Sequence, residues 1–234
     1  MLVREIMSRP VFTVRATDTL REAWELMRDR RIRHLPVVDE GGRLVGIVTD
    51  RDLRGASPSK LIFHEKDLAL LEAPVSTVMS QDVETAHPLD PIEEAALTLV
   101  KKKIGALPVV DMGNLVGIVT TTDLLRALVE LLRVDTPSSR IDVEVEDRIG
   151  AVHDLTGIFK ELGLSLSSLI LYPAEHPGRR RVVLRVMTID PTPALRRLRE
   201  IGPQEGIQLL WPVEAAEAPG VPEEETKDAS GDER

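Results

Sequence analysis

The chain has 234 residues, of which 42% are apolar, a formal net charge of −9 and no cysteine. The absence of cysteine excludes disulfides, thiolate catalysis and cysteine-ligated zinc. No segment approaches the ~20 consecutive apolar residues of a membrane helix, and the sequence has no basic stripe. We therefore expect a cytoplasmic protein that binds neither membranes nor nucleic acid.

The first part of the chain contains the same segment twice. HLPVVDEGGRLVGIVTDRDL at residues 34–53 returns as ALPVVDMGNLVGIVTTTDL at residues 106–124. The copies align at an offset of 72 from Met7 and Met79 onwards, and at 71 after a Gly-containing turn that is one residue shorter in the second copy. A hairpin turn tolerates such a change in length. We predict two equivalent repeats, at residues 1–72 and 73–134.

Each repeat is predicted to fold as strand, helix, strand, strand and helix. The first repeat has a strand at 12–14, a helix marked by Thr17-Asp18, strands at 35–38 and 44–48, and a helix from Asp50. The second has a strand at 83–85, a helix marked by Asp90-Pro91, strands at 107–110 and 115–119, and a helix from Thr121. Such a unit has a small core, so we expect the copies to pair about a pseudo-twofold axis, connected by residues 58–71 partly as a helix.

A T-x-x-D motif stands where the last strand of each repeat gives way to a helix. The motif is Thr49 and Asp52 in the first copy, and Thr120 and Asp123 in the second. A carboxylate and a hydroxyl side by side suit the diol of a sugar, and a helix N-terminus favours anions. The same residues are also typical of helix capping, in which Asp52 or Asp123 serves its own helix. The residues alone leave both interpretations open.

In both copies the order Met-Ser, helix, LPVVD, LVGIVT and T-x-x-D resembles the CBS domain, and the tandem resembles a CBS pair, or Bateman module, over residues 1 to about 133. The resemblance implies that the Thr and Asp of the motif hold the ribose of an adenosyl nucleotide: AMP, ADP, ATP or S-adenosylmethionine. That nucleotide would be a regulatory ligand, with no catalytic cofactor and no metal. Its adenine would lie in the cleft between the repeats. The positions implied are Thr13, Val14, Arg33, His34 and Pro36 in the first repeat, and Thr85, Ala86, Gly105, Ala106 and Pro108 in the second.

The two copies differ where a phosphate group would lie. The first copy offers Arg51, Arg33 and His34, whereas the aligned residues of the second are uncharged. Because arginine suits phosphate recognition, we expect the Arg51 side to favour a phosphorylated ligand and the other side to be empty or weaker. A solvated role for Arg51 and a plain strand role for His34 are the alternatives.

Residues 138–213 are predicted to form a separate domain of β-α-β-β-α-β order, the ferredoxin-like fold. The pattern gives a strand at 140–145, a helix at 151–162 and a strand at 166–172, followed by a strand, a helix and a last strand. EDRIGAVHDLTGIFKELGLSL resembles the opening of an ACT domain, with Ile149 in place of the usual proline. The resemblance implies either amino-acid binding, with Asp147 meeting an ammonium and Gly150 a carboxylate, or a purely dimerising role.

The complete chain lacks the sequence signatures of catalysis. It has no phosphate loop, no dinucleotide fingerprint, no nucleophile elbow and no H-E-x-x-H, and its five histidines have no metal-ligand spacing. Residues 214–234 contain eight acidic and two basic residues without apolar periodicity, which is typical of a disordered tail.

Two CBS repeats followed by an ACT-like domain resemble the acetoin-utilisation protein AcuB family. The resemblance implies an α+β, non-catalytic regulatory sensor, a homodimer, that acts on a partner enzyme. The alternative is a dimerising scaffold that recruits a partner enzyme without binding nucleotide.

Overall fold

A computed structural model describes residues 1–56 and 71–212. The chain forms two compact units, Met1–Leu128 and a second that begins at Val129, and each is described by itself. The acidic tail and, apart from Leu71, the connector expected at 58–71 lie outside the described residues. No helix in the described ranges is long and apolar enough to cross a bilayer.

The first repeat contains a three-stranded sheet flanked by helices. Its elements are α1 (Val3–Ile6), β1 (Val14–Arg15), α2 (Leu20–Arg30), β2 (His34–Val38), β3 (Leu44–Thr49) and α3 (Asp50–Ala56). Strand β1 runs parallel to β2, and β2 pairs antiparallel with β3 through the hairpin. Leu20, Ala23 and Met27 are the buried face of α2, and the half-buried Trp24 packs against the same core, as its helical spacing predicts.

The second repeat copies this plan with a weaker first strand. A 3₁₀ turn (Val75–Thr77) is followed by α4 (Ile92–Lys102), β4 (Ala106–Asp111), β5 (Asn114–Thr120) and α5 (Thr121–Leu131). The strand expected at 83–85 is absent, and a single parallel bridge joins Ala86 to Val109 instead. Strands β4 and β5 therefore form a two-stranded sheet.

Helix α2 begins later than the sequence predicts, at Leu20 instead of Thr17-Asp18. Thr19 is the N-cap, and it forms a capping box with Glu22, in which each side chain bonds the backbone N–H of the other. The Asp18 carboxylate accepts a hydrogen bond from the backbone N–H of Arg15, so it closes the preceding turn instead of starting the helix.

The short segments that open the two repeats are exchanged, so each contributes to the core of the other repeat. Val3 and Met7 are buried in the core of the second repeat, together with Leu107 and Val119. Conversely, Val75 belongs to the core of the first repeat. Isolated bridges join Ser8 to Ile118 and Ser80 to Ile47, so each segment pairs with the last strand of the other repeat.

Two glycines make this exchange sterically possible. A Cβ at Gly46 would lie 2.8 Å from Met79 Sδ, and one at Gly117 would overlap Met7. Each Met-Ser segment therefore passes over a glycine in the final strand of the opposite repeat.

The second unit has the β-α-β-β-α-β order that the sequence predicts. It comprises β6 (Ser139–Glu146), α6 (Ala151–Glu161), β7 (Leu166–Pro173), β8 (Arg179–Val186), α7 (Thr192–Ile201), a 3₁₀ turn (Gly202–Glu205) and β9 (Ile207–Trp211). All three strand pairings are antiparallel, in the order β7-β8-β6-β9. Ile141, Val143 and Val145 of β6 face a core that includes Leu155 and Phe159 of α6.

The alternate residues of β6 carry buried acids. Asp142 is only 2% exposed; it accepts hydrogen bonds of 2.7 and 2.9 Å from Arg140 and one of 3.2 Å from Arg181. Burial acts to raise the pKa of Asp142, but the bonds from Arg140 and Arg181 outweigh it and lower that pKa. The carboxylate therefore stays charged because two guanidinium groups compensate its burial.

Candidate functional site

A cleft of about 920 Å³ lies between the two repeats of the first unit. Both T-x-x-D motifs line it. We call Thr49 and Asp52 the first corner, and Thr120 and Asp123 the second corner. The predicted site residues in its walls are Arg33, His34, Thr49, Arg51, Asp52, Gly105, Ala106, Thr120 and Asp123.

Each T-x-x-D motif forms a reciprocal capping box. In the first corner Asp52 Oδ2 accepts hydrogen bonds from Thr49 N (2.9 Å) and Thr49 Oγ1 (2.7 Å), and Asp52 N donates to Thr49 Oγ1 (3.3 Å). The corresponding distances in the second corner are 2.9, 2.6 and 3.3 Å. The threonine is thus the residue before the helix, and the aspartate lies inside its first turn.

Capping occupies only one oxygen of each aspartate. Among the described residues, Asp52 Oδ1 accepts no hydrogen bond, whereas Asp123 Oδ1 lies 3.6 Å from Arg126 Nη1. Asp52 is half-buried and Asp123 is 7% exposed. A carboxylate oxygen has two acceptor sites, so Asp52 can cap α3 and accept from a sugar hydroxyl at once. Capping and ligand binding are compatible at this corner.

His34 joins the two repeats across the cleft. Its ring occupies the space in front of Gly105, where an added Cβ would lie 2.7 Å from His34 Nε2. Burial, followed by repulsion from Arg33, lowers the pKa of His34, and Asp50 and Asp52 only partly oppose this. The ring is therefore neutral at pH 7 and offers one donor and one acceptor.

Six of the predicted residues lie outside the cleft walls: Thr13, Val14, Pro36, Thr85, Ala86 and Pro108. Val14 and Ala86 are buried in the repeat cores, and Pro36 and Pro108 are buried in their strands. Residues 10–12 and 82–84, just before the predicted positions, line the cleft instead. Val14 of β1 pairs with Val37, and Ala86 forms the equivalent bridge to Val109, so these two side chains lie in the cores of their repeats.

The sequence comparison missed three cleft residues that distinguish the corners. Phe12 and Glu84 occupy aligned positions in the two repeats, and Arg126 of α5 aligns with Gly55. All three follow from the same offsets that reveal the repeat. None of the three lies in a T-x-x-D motif or directly before an LPVV segment, which are among the positions that the resemblance to the CBS domain indicates.

Models of two domain families match the chain. The CBS domain model matches residues 3–59 and 75–130, and the ACT domain model matches residues 139–203. A CBS domain-containing protein of Dictyostelium discoideum is 38% identical over an alignment that spans 59% of this chain and 99% of that protein. This chain belongs to the CBS-domain family. Its two CBS domains are followed by an ACT domain, which confirms both resemblances.

Two solved structures resemble the CBS pair. A Vibrio cholerae protein provisionally named as an acetoin utilization protein, AcuB, is 37% identical with a TM-score of 0.50, over 58% of this chain and 95% of that one. The CBS domain pair of protein MJ0100, solved with 5′-methylthioadenosine and S-adenosyl-L-methionine, is 35% identical with a TM-score of 0.48, over 55% and 95%. Four curated relatives with enzyme names are covered over only 23% or 24% of their own length, so each match concerns a part of the enzyme.

The two predicted ligand residues of the ACT domain lie beside paired charges. The Asp147 carboxylate accepts a hydrogen bond of 2.9 Å from Arg180. Gly150 is the N-cap of α6 with φ 89°, and Arg148 Nη2 lies 2.7 Å from Asp154 of the same helix. An ammonium at Asp147 would therefore compete with Arg180. The described residues contain no cluster of three or more metal-ligating side chains.

Proposed function

We propose that this protein is a non-catalytic regulatory sensor whose CBS pair binds an adenosyl nucleotide in the cleft between its repeats. The observation that carries the proposal is the half-buried Asp52 in the cleft wall. One of its carboxylate oxygens caps α3, and the other is unbonded among the described residues. The cleft volume of about 920 Å³ is within the usual range for small-molecule sites.

The ribose would bind at the first corner through its vicinal hydroxyls. Both hydroxyls are donors, and Asp52 Oδ1 is the acceptor that capping leaves available. The Thr49 hydroxyl already donates its hydrogen bond to Asp52 Oδ2, so it orients the carboxylate instead of donating to the ligand. In this proposal both residues of the motif contribute, Thr49 by orienting the carboxylate and Asp52 by binding the ribose.

The phosphates would lie against Arg51 and Arg33, with neutral His34 beside them. Both arginines are exposed residues of the cleft wall. Guanidinium groups bind phosphate oxygens through paired hydrogen bonds. We therefore assign AMP, ADP or ATP to this corner ahead of an uncharged adenosine.

Regulation would follow from the position of the ligand between two domains. A ligand that contacts both repeats stabilises one packing of the pair by its differential affinity for it. In the proposed scheme a cytoplasmic homodimer transmits this change through its ACT domain, which dimerises or binds an amino acid, to a partner enzyme. The likeness to AcuB suggests acetoin utilisation as the regulated pathway.

The capping boxes favour a second candidate function, a dimerising scaffold. Both Thr-Asp pairs satisfy each other without any ligand, as purely structural caps do. A scaffold would recruit its partner enzyme with an empty cleft.

Calorimetric titration with AMP, ADP, ATP, adenosine and S-adenosylmethionine separates the two functions. The sensor requires saturable binding of at least one adenosyl ligand, and its loss in Asp52→Asn, which retains a carbonyl for capping. In Arg51→Ala, AMP and ATP affinity should fall more than adenosine affinity. If no ligand binds the intact chain, the scaffold is the better function.

A further inference from the structure

The two repeats carry different kinds of side chain at two aligned positions beside the cleft. In the first repeat the Arg30 guanidinium carbon lies 4.6 Å from the centre of the Phe12 ring, a cation–π contact. The aligned residues of the second repeat are Lys102 and Glu84, which form an ion pair. The hydrogen bond that Lys102 donates to Glu84 raises the pKa of Lys102, so the pair remains charged.

Phe12 offers the first corner an aromatic surface. The ring lines the cleft, but Arg30 does not, so Arg30 contacts the ring from outside the cleft. Phe12 is half-buried and also packs against the core of the first repeat, which fixes its position. A nucleobase stacks on such a fixed ring with little entropic cost.

The second corner lacks this surface. Residues 73–134 contain no phenylalanine, tyrosine or tryptophan. The aligned Glu84 presents a charged carboxylate to the cleft, where burial under a base would cost its hydration.

The ribose acceptor of the second corner is also less available. Asp123 is 7% exposed, and its second oxygen faces Arg126 at 3.6 Å. The residue of the first repeat that aligns with Arg126 is Gly55, so no side chain approaches Asp52 from that position. This difference is independent of the one at Phe12, and it too favours binding at the first corner.

We propose that the CBS pair binds one adenosyl ligand per chain, at the first corner, and that Phe12 is the residue on which the base stacks. The inference rests on the proposed function and assigns the site within it. The second corner does not take an adenosyl ligand, because it has a carboxylate in place of the ring and an arginine in front of its aspartate.

The test is titration calorimetry of the full chain with AMP, ATP and adenosine. The wild type should bind one ligand per chain. Phe12→Leu retains apolar bulk in the core but removes the ring; it should weaken all three ligands by similar factors, between about fivefold and a hundredfold. Equal losses distinguish contact with the base from contact with phosphate, since Arg51→Ala spares adenosine. Arg30→Gln is the matched control, because it leaves the ring in place and should retain most of the affinity.

A gain of binding tests the second corner. The double variant Glu84→Phe/Lys102→Arg copies the first repeat, and Arg126→Gly restores the small residue found there. With all three changes, the number of ligands bound per chain should rise from one towards two.

Different outcomes reject different statements. Two ligands per wild-type chain, or full affinity in a folded Phe12→Leu variant, would overturn the inference and leave the sensor function intact. A wild type that binds no adenosyl ligand would reject the sensor function itself.

Discussion

Two capping boxes of the same geometry allow the structural role of Asp52 to be separated from its role in binding. The capping box of Thr19 and Glu22 contains the same three hydrogen bonds as that of Thr49 and Asp52. Their lengths are 2.8, 3.0 and 3.2 Å, close to the lengths at Thr49 and Asp52. Glu22 caps α2 and is absent from the cleft wall. Glu22→Ala therefore removes a cap alone, whereas Asp52→Ala removes a cap and the proposed ribose acceptor.

The two variants should differ in stability only when ligand is present. Loss of the Asp52 cap should cost about 1 kcal/mol of the free energy of unfolding, and a Tm decrease of a few degrees. Glu22→Ala should lower Tm by a similar amount. A ligand at a hundred times its Kd adds about 2.7 kcal/mol to the free energy of unfolding of the wild type. Asp52→Ala should lose this stabilisation by ligand as well as the stabilisation by the cap.

Scanning calorimetry of the three proteins, with and without ATP, is the assay. Glu22→Ala should show the complete Tm increase with ATP, and Asp52→Ala little or none. Equal increases in the two variants would show that Asp52 is a cap only, and would refute its assignment as ribose acceptor.

Four further predictions concern other contacts. Gly105→Val should destabilise the first unit by about 1–3 kcal/mol in urea unfolding, because its Cβ would overlap His34, and His34→Ala should restore part of the loss. The folded pKa of His34 is lowered, so stability should fall as the pH falls below about 6.5, and this slope should flatten in His34→Gln; an unchanged slope would contradict the burial argument. Met7→Ala should cost about 2–5 kcal/mol, in contrast to the exposed Met112→Ala, which should cost almost nothing. Asp142→Asn should cost about 1–3 kcal/mol, because Arg140 and Arg181, which are themselves partly exposed, lose the charge of their buried acceptor; wild-type stability would show that these ion pairs contribute nothing.

Local patterns in the sequence predict most of the secondary structure. The hairpin β2–β3 and its copy β4–β5 lie within one residue of the predicted strands because apolar runs and a glycine turn specify them locally. The predicted start of α2 is wrong because Thr17, Asp18 and Thr19 are all acceptable N-cap residues. The capping box of Thr19 and Glu22 and the hydrogen bond that Leu20 N donates to Ala73 O together select Thr19.

The walls of the cleft are less predictable. That both motifs lie in one cleft follows from the pairing of the repeats, but the residues around them depend on where each first strand begins. Val14 lies in β1, paired with Val37, and is buried, whereas Phe12 precedes β1 and lines the cleft. Arg126 lies three residues beyond its motif and reaches back along a helical turn, a contact visible only when the helix is built.

The exchange of the Met-Ser segments makes each repeat an incomplete folding unit. Val3 and Met7 occur more than a hundred residues before Val119, with which they share a core. A fragment cut between the repeats would leave each half with a stretch of its core exposed and the wrong segment attached. The pair should consequently fold and unfold in one cooperative step, and the long loop closure that this requires should make its folding slow for its size. A mixture of the two separated halves should recover structure only when both are present.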